Sequence, residues 1–167
     1  EPYIMSSMDS IVSLKYSSVD EVPDGATIAV ANDESNLSVN LEDLQELGWI
    51  KLKDIPEDSY YTLFDIEENK KNLNFLEVDM FSRAAALQDE ADLAMIFHSN
   101  TGAAKYGYHL LKIFDENIAY PQVVAVRDED KDSQWVKDLM KAFTSDEQVE
   151  RINEKNQPDV CWKILFE

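Results

Sequence analysis

The sequence predicts an α/β fold built on a largely parallel sheet, and two observations carry that reading. The run Ala26-Thr27-Ile28-Ala29-Val30-Ala31 is short, apolar and unbroken, as strands covered on both faces are. Directly after it stand Asn32-Asp33-Glu34-Ser35-Asn36, a cluster of helix-capping residues, and then Leu37, Leu41, Leu44 and Leu47 in helical spacing. Strand, polar loop and capped helix make the first half of a βαβ unit, and the same alternation returns further along the chain.

Taken in order, residues 1–22 read as an irregular start and then a strand through Ile11, Val12 and Leu14 to Tyr16. Pro23-Asp24-Gly25 is a turn, because proline presets φ and glycine accepts a positive one. Gly48 supplies the C-cap of the leucine helix. Leu73–Val78 reads as a strand, Phe81–Leu87 as a short helix and Asp92–Phe97 as a second buried strand. Thr101–Ile113 is expected to be helical despite Gly102 and Gly107, on the strength of Ala104, Tyr108, Leu110 and Leu111. Val123–Val126 reads as a strand. Trp135, Val136, Leu139, Met140 and Phe143 line one face of a helix, and Ser145-Asp146-Glu147 opens another that runs to about Lys155. The tail Val160–Phe166 is apolar enough to require a partner, on this chain or another.

Composition narrows the function. A chain of 167 residues is long enough to bury one real core. Its 34 acidic residues against 15 basic ones give a net charge of −19, which repels phosphate backbones and argues against nucleic-acid binding. The single Cys161 excludes an internal disulfide and a cysteine zinc cluster, and His98 and His109 are too few for a histidine metal site. Four glycines leave no room for a dinucleotide fingerprint or a phosphate loop, and no G-x-S-x-G elbow occurs. Asp128–Asp132 starts like a calcium loop, but Ser133 stands where glycine is needed and Leu139 where the closing glutamate belongs. No stretch approaches the roughly 20 apolar residues that cross a bilayer. An enzyme is the weaker reading, and no catalytic residue, metal or cofactor is expected.

Several stretches, in order over about residues 11–155, resemble the NlpA-type methionine-binding lipoproteins that serve ABC importers. They are Asp20-Glu21-Val22-Pro23-Asp24-Gly25-Ala26-Thr27-Ile28-Ala29-Val30, with Asn32-Asp33 and Asn36-Leu37 behind it, Gly48 with Ile50-Lys51-Leu52-Lys53-Asp54, and Arg83-Ala84 followed by Asp92-Leu93-Ala94-Met95-Ile96. Tyr120-Pro121-Gln122-Val123-Val124-Ala125-Val126-Arg127 is similar to the family's Y-V-N-V-I-V-V-R.

The resemblance implies a periplasmic-binding-protein type II fold: two α/β lobes that close on an amino acid or small peptide and deliver it to an ABC permease. It also implies an extracytoplasmic protein, tethered by an N-terminal lipid anchor carried by a longer precursor. The chain is read as a single solute-binding-protein-like domain over 1–167, mainly one complete lobe, with the second lobe in about 11–120 and a C-terminal strand and helices in about 121–167. The ligand is expected beyond the carboxyl ends of strands, at a helix N-terminus, which falls on Asn32, Ser35 and Asn36. Plain helix capping is the other reading of those three residues. Gln122, and Asn100 with one residue inserted, stand where the family places amides, and His98 is a further candidate donor.

The chain also departs from the family pattern. Val39 stands where the family's N-L-x-R has an arginine, and the family's aromatic–histidine segment precedes the point where the chain opens. A divergent or reduced ligand site is therefore expected, in a fragment or a shortened relative. A non-transport module that keeps the fold without the ligand is the alternative. Exposed strand edges, at Val123–Val126 and in the tail, further suggest a homodimer.

Overall fold

The computed structural model describes residues 5–114 and 121–166. Its centre is a five-stranded sheet in the order β6 (Asn74–Val78), β3 (Thr27–Ala31), β7 (Leu93–Phe97), β2 (Asp9–Ser13), β8 (His109–Phe114). β6, β3 and β7 are parallel, whereas β2 runs antiparallel to both β7 and β8. The two strands expected inside the sheet are inside it, although the insertion of β2 makes the sheet mixed.

Side-chain alternation along these strands divides the core into two layers. Ile11, Ile28, Val30, Leu93 and Met95 face Leu37, Leu41 and Leu44 of α1 (Glu34–Glu46). Val12, Ala29, Ala94 and Ile96 face the other way, onto Ala86, Leu87 and Ala91 around α2 (Arg83–Ala86), and onto Tyr108 beyond α3 (Asn100–Tyr106). Each fully buried aliphatic side chain contributes about 1.5–3 kcal/mol, so the sheet is held from both faces. Asp33 caps the N-terminus of α1, and Gly48 follows its end at φ +72°.

Two small antiparallel pairs complete the described strands: β4 (Ile50–Leu52) with β5 (Ile66–Asn69), and β1 (Met5–Ser7) with β9 (Trp162–Ile164). Helices α4 (Gln134–Phe143) and α5 (Asp146–Lys155) stand close to their predicted bounds.

Three expectations are corrected. The helix predicted over Thr101–Ile113 stops at Tyr106, where Gly107 at φ +71° donates its N–H back to Ala103 and ends the turn. The chain beyond it becomes β8, because the free edge of β2 accepts it in register, with Asp9 opposite Phe114. The strand predicted over Val123–Val126 does not form; the pairing there is a single bridge between Gln122 and Met5. The apolar tail finds its partner on this chain, as β9 against β1, with Met8 N–H donating to the Cys161 carbonyl at 3.2 Å. The strand-edge argument for a homodimer thereby loses both of its supports.

Candidate functional site

Because β3, β7 and β8 point the same way, their carboxyl ends meet at one edge of the sheet. Antiparallel β2 begins at that edge, so Asp9 lies between Phe97 and Phe114 in register. α1 starts from the same edge, after β3. Together they enclose a cleft of about 130 Å³ lined by Ser6, Ser7, Asp9, Ser35, Asn36, Val39, Phe97 and Phe114. Val39 and the two phenylalanines form apolar walls, while the serines, Asn36 and Asp9 supply the polar groups. A larger, open groove of about 860 Å³ lies along α4 and α5, and no predicted site residue lines it.

The mouth of the cleft is organised by Asp33. Its carboxylate accepts from Asn36 N–H at 3.1 Å, from Asn36 Nδ2 at 2.9 and 3.1 Å, and from Ser35 Oγ at 3.2 Å. Partial burial opposes ionisation of Asp33, but these hydrogen bonds outweigh it and hold the carboxyl below its ordinary range.

The floor is a buried polar network. Asp9 is 7% exposed; it accepts from Ser10 N–H at 3.1 Å and from Asn40 Nδ2 at 2.6 Å. Asn40 Oδ1 in turn accepts from Ala31 N–H at 3.0 Å and Arg83 Nη1 at 3.4 Å, and that guanidinium also donates to the Met95 carbonyl at 2.9 Å. Burial pushes the Asp9 carboxyl up to about 6, against the pull of Arg83 and of its hydrogen bonds. Arg83 is itself buried, which lowers its pKa, while Asp9, Asp33 and Asp79 work in the opposite direction. The edge thus carries an acceptor, hydroxyls, an amide and apolar walls. Such a lining can accept from, donate to and pack against a small molecule.

Compared with known families, residues 7–162 match the NlpA lipoproteins. The chain belongs to the NlpA lipoprotein family. It is 35% identical over 149 residues to the D-methionine-binding lipoprotein MetQ of Escherichia coli K12, covering 84% of this chain and 53% of that one. A probable D-methionine-binding lipoprotein MetQ of Pasteurella multocida is 38% identical over 139 residues, covering 81% and 49%. This chain thus spans about half the length of these relatives. Among solved structures, a nutrient binding protein from Burkholderia cenocepacia bound to methionine superposes with a TM-score of 0.81 at 32% identity, covering 93% of this chain and 66% of that one. The NlpA relatives are named as binding proteins and lipoproteins, and the α/β fold is theirs.

Within this NlpA chain the six predicted residues separate. Ser35 and Asn36 line the cleft, and Asn32 is exposed in the loop that leads to them. Gln122 is exposed and donates its backbone N–H to Met5 at 2.8 Å, one residue before the Ser6–Ser7 wall. His98 and Asn100 lie away from the cleft lining. The alternation that turns Phe97 to the cleft turns His98 to the opposite face. There it packs edge-on against Tyr108 at 6.0 Å, with Nε2 3.4 Å from the Asp159 carboxylate. Burial lowers the His98 pKa, and the Asp159 charge opposes the shift. Asn100 braces the C-terminal segment: Nδ2 donates to the carbonyls of Lys155 at 2.8 Å and Asp159 at 2.9 Å, and Oδ1 accepts from Asp159 N–H at 3.2 Å.

Sequence reasoning missed Asp9, Ser6, Ser7, Phe97 and Phe114. The available signal was an aspartate two positions before the apolar strand residues Ile11 and Val12. Among the described residues no cluster of three or more His, Cys, Asp or Glu side chains could hold a metal ion.

Proposed function

We propose that this chain is the ligand-gripping part of a solute-binding protein that hands an amino acid or small peptide to an ABC permease. The cleft at the carboxyl ends of β3, β7 and β8 carries the reading. It is a concave site of mixed apolar and hydrogen-bonding lining, at the edge where α/β sheets bind ligands. Methionine in a related structure, and the D-methionine-binding names of the relatives, support an amino acid as the ligand class. Residues of about 11–120 supply one lobe's wall and about 121–167 the returning elements, while a second lobe closes over the cleft in the longer protein. Capture takes place outside the cytoplasm, on a protein held to the membrane by a lipid anchor on that longer precursor. The activity is binding and release, without covalent chemistry.

Thermal denaturation in the presence of single amino acids and short peptides tests the reading. A ligand at about 100 times its Kd stabilises the folded state by about 2.7 kcal/mol. For a chain of this size that is a rise of roughly 5–10 °C in Tm. At least one member of the panel is expected to produce it. A flat response across the panel contradicts the proposal.

A further inference from the structure

We propose that the wall of the cleft in this chain receives the cationic end of its ligand, an ammonium group held at Asp9 with the apolar remainder against Val39, Phe97 and Phe114. The inference rests on the solute-binding reading and specifies what that site selects.

Three observations carry it. First, among the described residues Asp9 is the only ionisable one in the cleft's lining, and none of them brings a cationic side chain there. Arg83, the guanidinium of the floor network, is 1% exposed, is held by the Met95 carbonyl and Asn40, and does not line the cleft. Second, the donors at the start of α1 that a ligand carboxylate would seek are engaged. The Ser35 hydroxyl, the Asn36 backbone N–H and the Asn36 side-chain amide all donate to Asp33. An incoming carboxylate would have to displace an anion already in place, beside Glu34 in the first turn of α1. Third, the field outside favours cations, since the chain carries a net charge of −19. An ammonium entering the cleft meets a carboxylate acceptor and hydroxyl oxygens at one end and apolar walls along its length. A carboxylate in its place meets the Asp9 charge, beside Ser35 and Asn36 donors that Asp33 already holds.

Three probes that share one side chain separate the possibilities: L-methionine, L-methioninol, which keeps the amine and lacks the carboxylate, and N-acetyl-L-methionine, which keeps the carboxylate and lacks the basic amine. Calorimetric titration of the chain is expected to show methioninol binding within about threefold of methionine, and N-acetylmethionine at least tenfold more weakly. Asp9→Asn is expected to weaken methioninol at least tenfold. Should that buried change prevent folding, Val39→Lys, at a half-buried position on the cleft wall, is expected to do the same by placing a cation beside Asp9. N-acetylmethionine binding as tightly as methionine, with methioninol silent, overturns the inference and leaves the solute-binding reading standing. Methioninol binding unchanged in both variants also overturns it. Silence of all three probes and of the amino-acid and peptide panel overturns the solute-binding reading, and this inference with it.

Discussion

Replacing Asn40 by alanine removes the side chain that joins β2, β3 and the Arg83 guanidinium beneath the cleft. Asn40 is 1% exposed, so its bonds are made inside the protein. Its contact with Arg83 is the longest, at 3.4 Å, and Arg83 keeps the Met95 carbonyl. Two losses therefore dominate. The Ala31 N–H, 3.0 Å from Asn40 Oδ1, becomes a buried donor without an acceptor, at about 1–3 kcal/mol. Asp9 loses the 2.6 Å donor on its carboxylate, and hydrogen bonds to charged groups contribute about 1.5–3 kcal/mol. Together the substitution is expected to lower stability by about 3–5 kcal/mol, or roughly 10–15 °C in Tm. Urea denaturation followed by circular dichroism measures the first quantity. The carboxyl stretch of Asp9, followed by infrared difference spectroscopy against Asp9→Asn, supplies an independent readout. With a donor gone, the Asp9 proton is expected to titrate above its value of about 6. A stability loss below about 1 kcal/mol with an unmoved titration refutes the network as the support of the cleft floor.

Asp33→Ala removes the cap of α1 and is expected to cost about 1 kcal/mol at pH 7. Because the folded carboxyl lies below its ordinary 3.8, that contribution is present above this pH and is lost as pH falls below it, so urea midpoints of variant and parent are expected to draw together on acidification. Asn100→Ala frees the segment after α5 from α3, and limited proteolysis is expected to cut residues 156–160 faster while the sheet core stays protected. His98 is held below its ordinary 6.5 by burial, so the unfolded chain takes up the proton more readily and stability falls as pH drops below 6.5. Asp9, with its raised value, works in the opposite direction through about pH 6. His98→Phe therefore leaves the Asp9 contribution alone, and its stability is expected to rise from pH 7 to pH 5 relative to the parent.

How much of this was legible in the sequence depended on whether the information was local. β3 and β7 are covered on both faces, and their unbroken apolar runs show it. The start of α1 is written in its capping residues, which also brought Ser35 and Asn36 to the site. β8 is an edge strand whose Leu110 and Leu111 fit a helical stripe begun at Ala104, and only the backbone at Gly107 separates the two readings. Asp9 could not be placed from its neighbours. It reaches the cleft because β2 inserts between strands about 90 and 105 positions away in sequence, a pairing that no local pattern encodes. The same geometry decides His98 and Asn100. A single step of strand alternation sends Phe97 to the cleft and its neighbour to Tyr108, and Asn100 is claimed by carbonyls near the far end of the chain.

Binding of a small ligand at the carboxyl ends of β3, β7 and β8 can be followed residue by residue, by two-dimensional NMR of the labelled chain titrated with L-methionine and L-methioninol. Saturable shifts are expected on Asp9, Ser35, Asn36, Val39 and Phe97, with α4 and α5 unmoved. Shifts that instead gather on Leu139, Phe143, Gln148 and Arg151, along the open groove of those two helices, would contradict it.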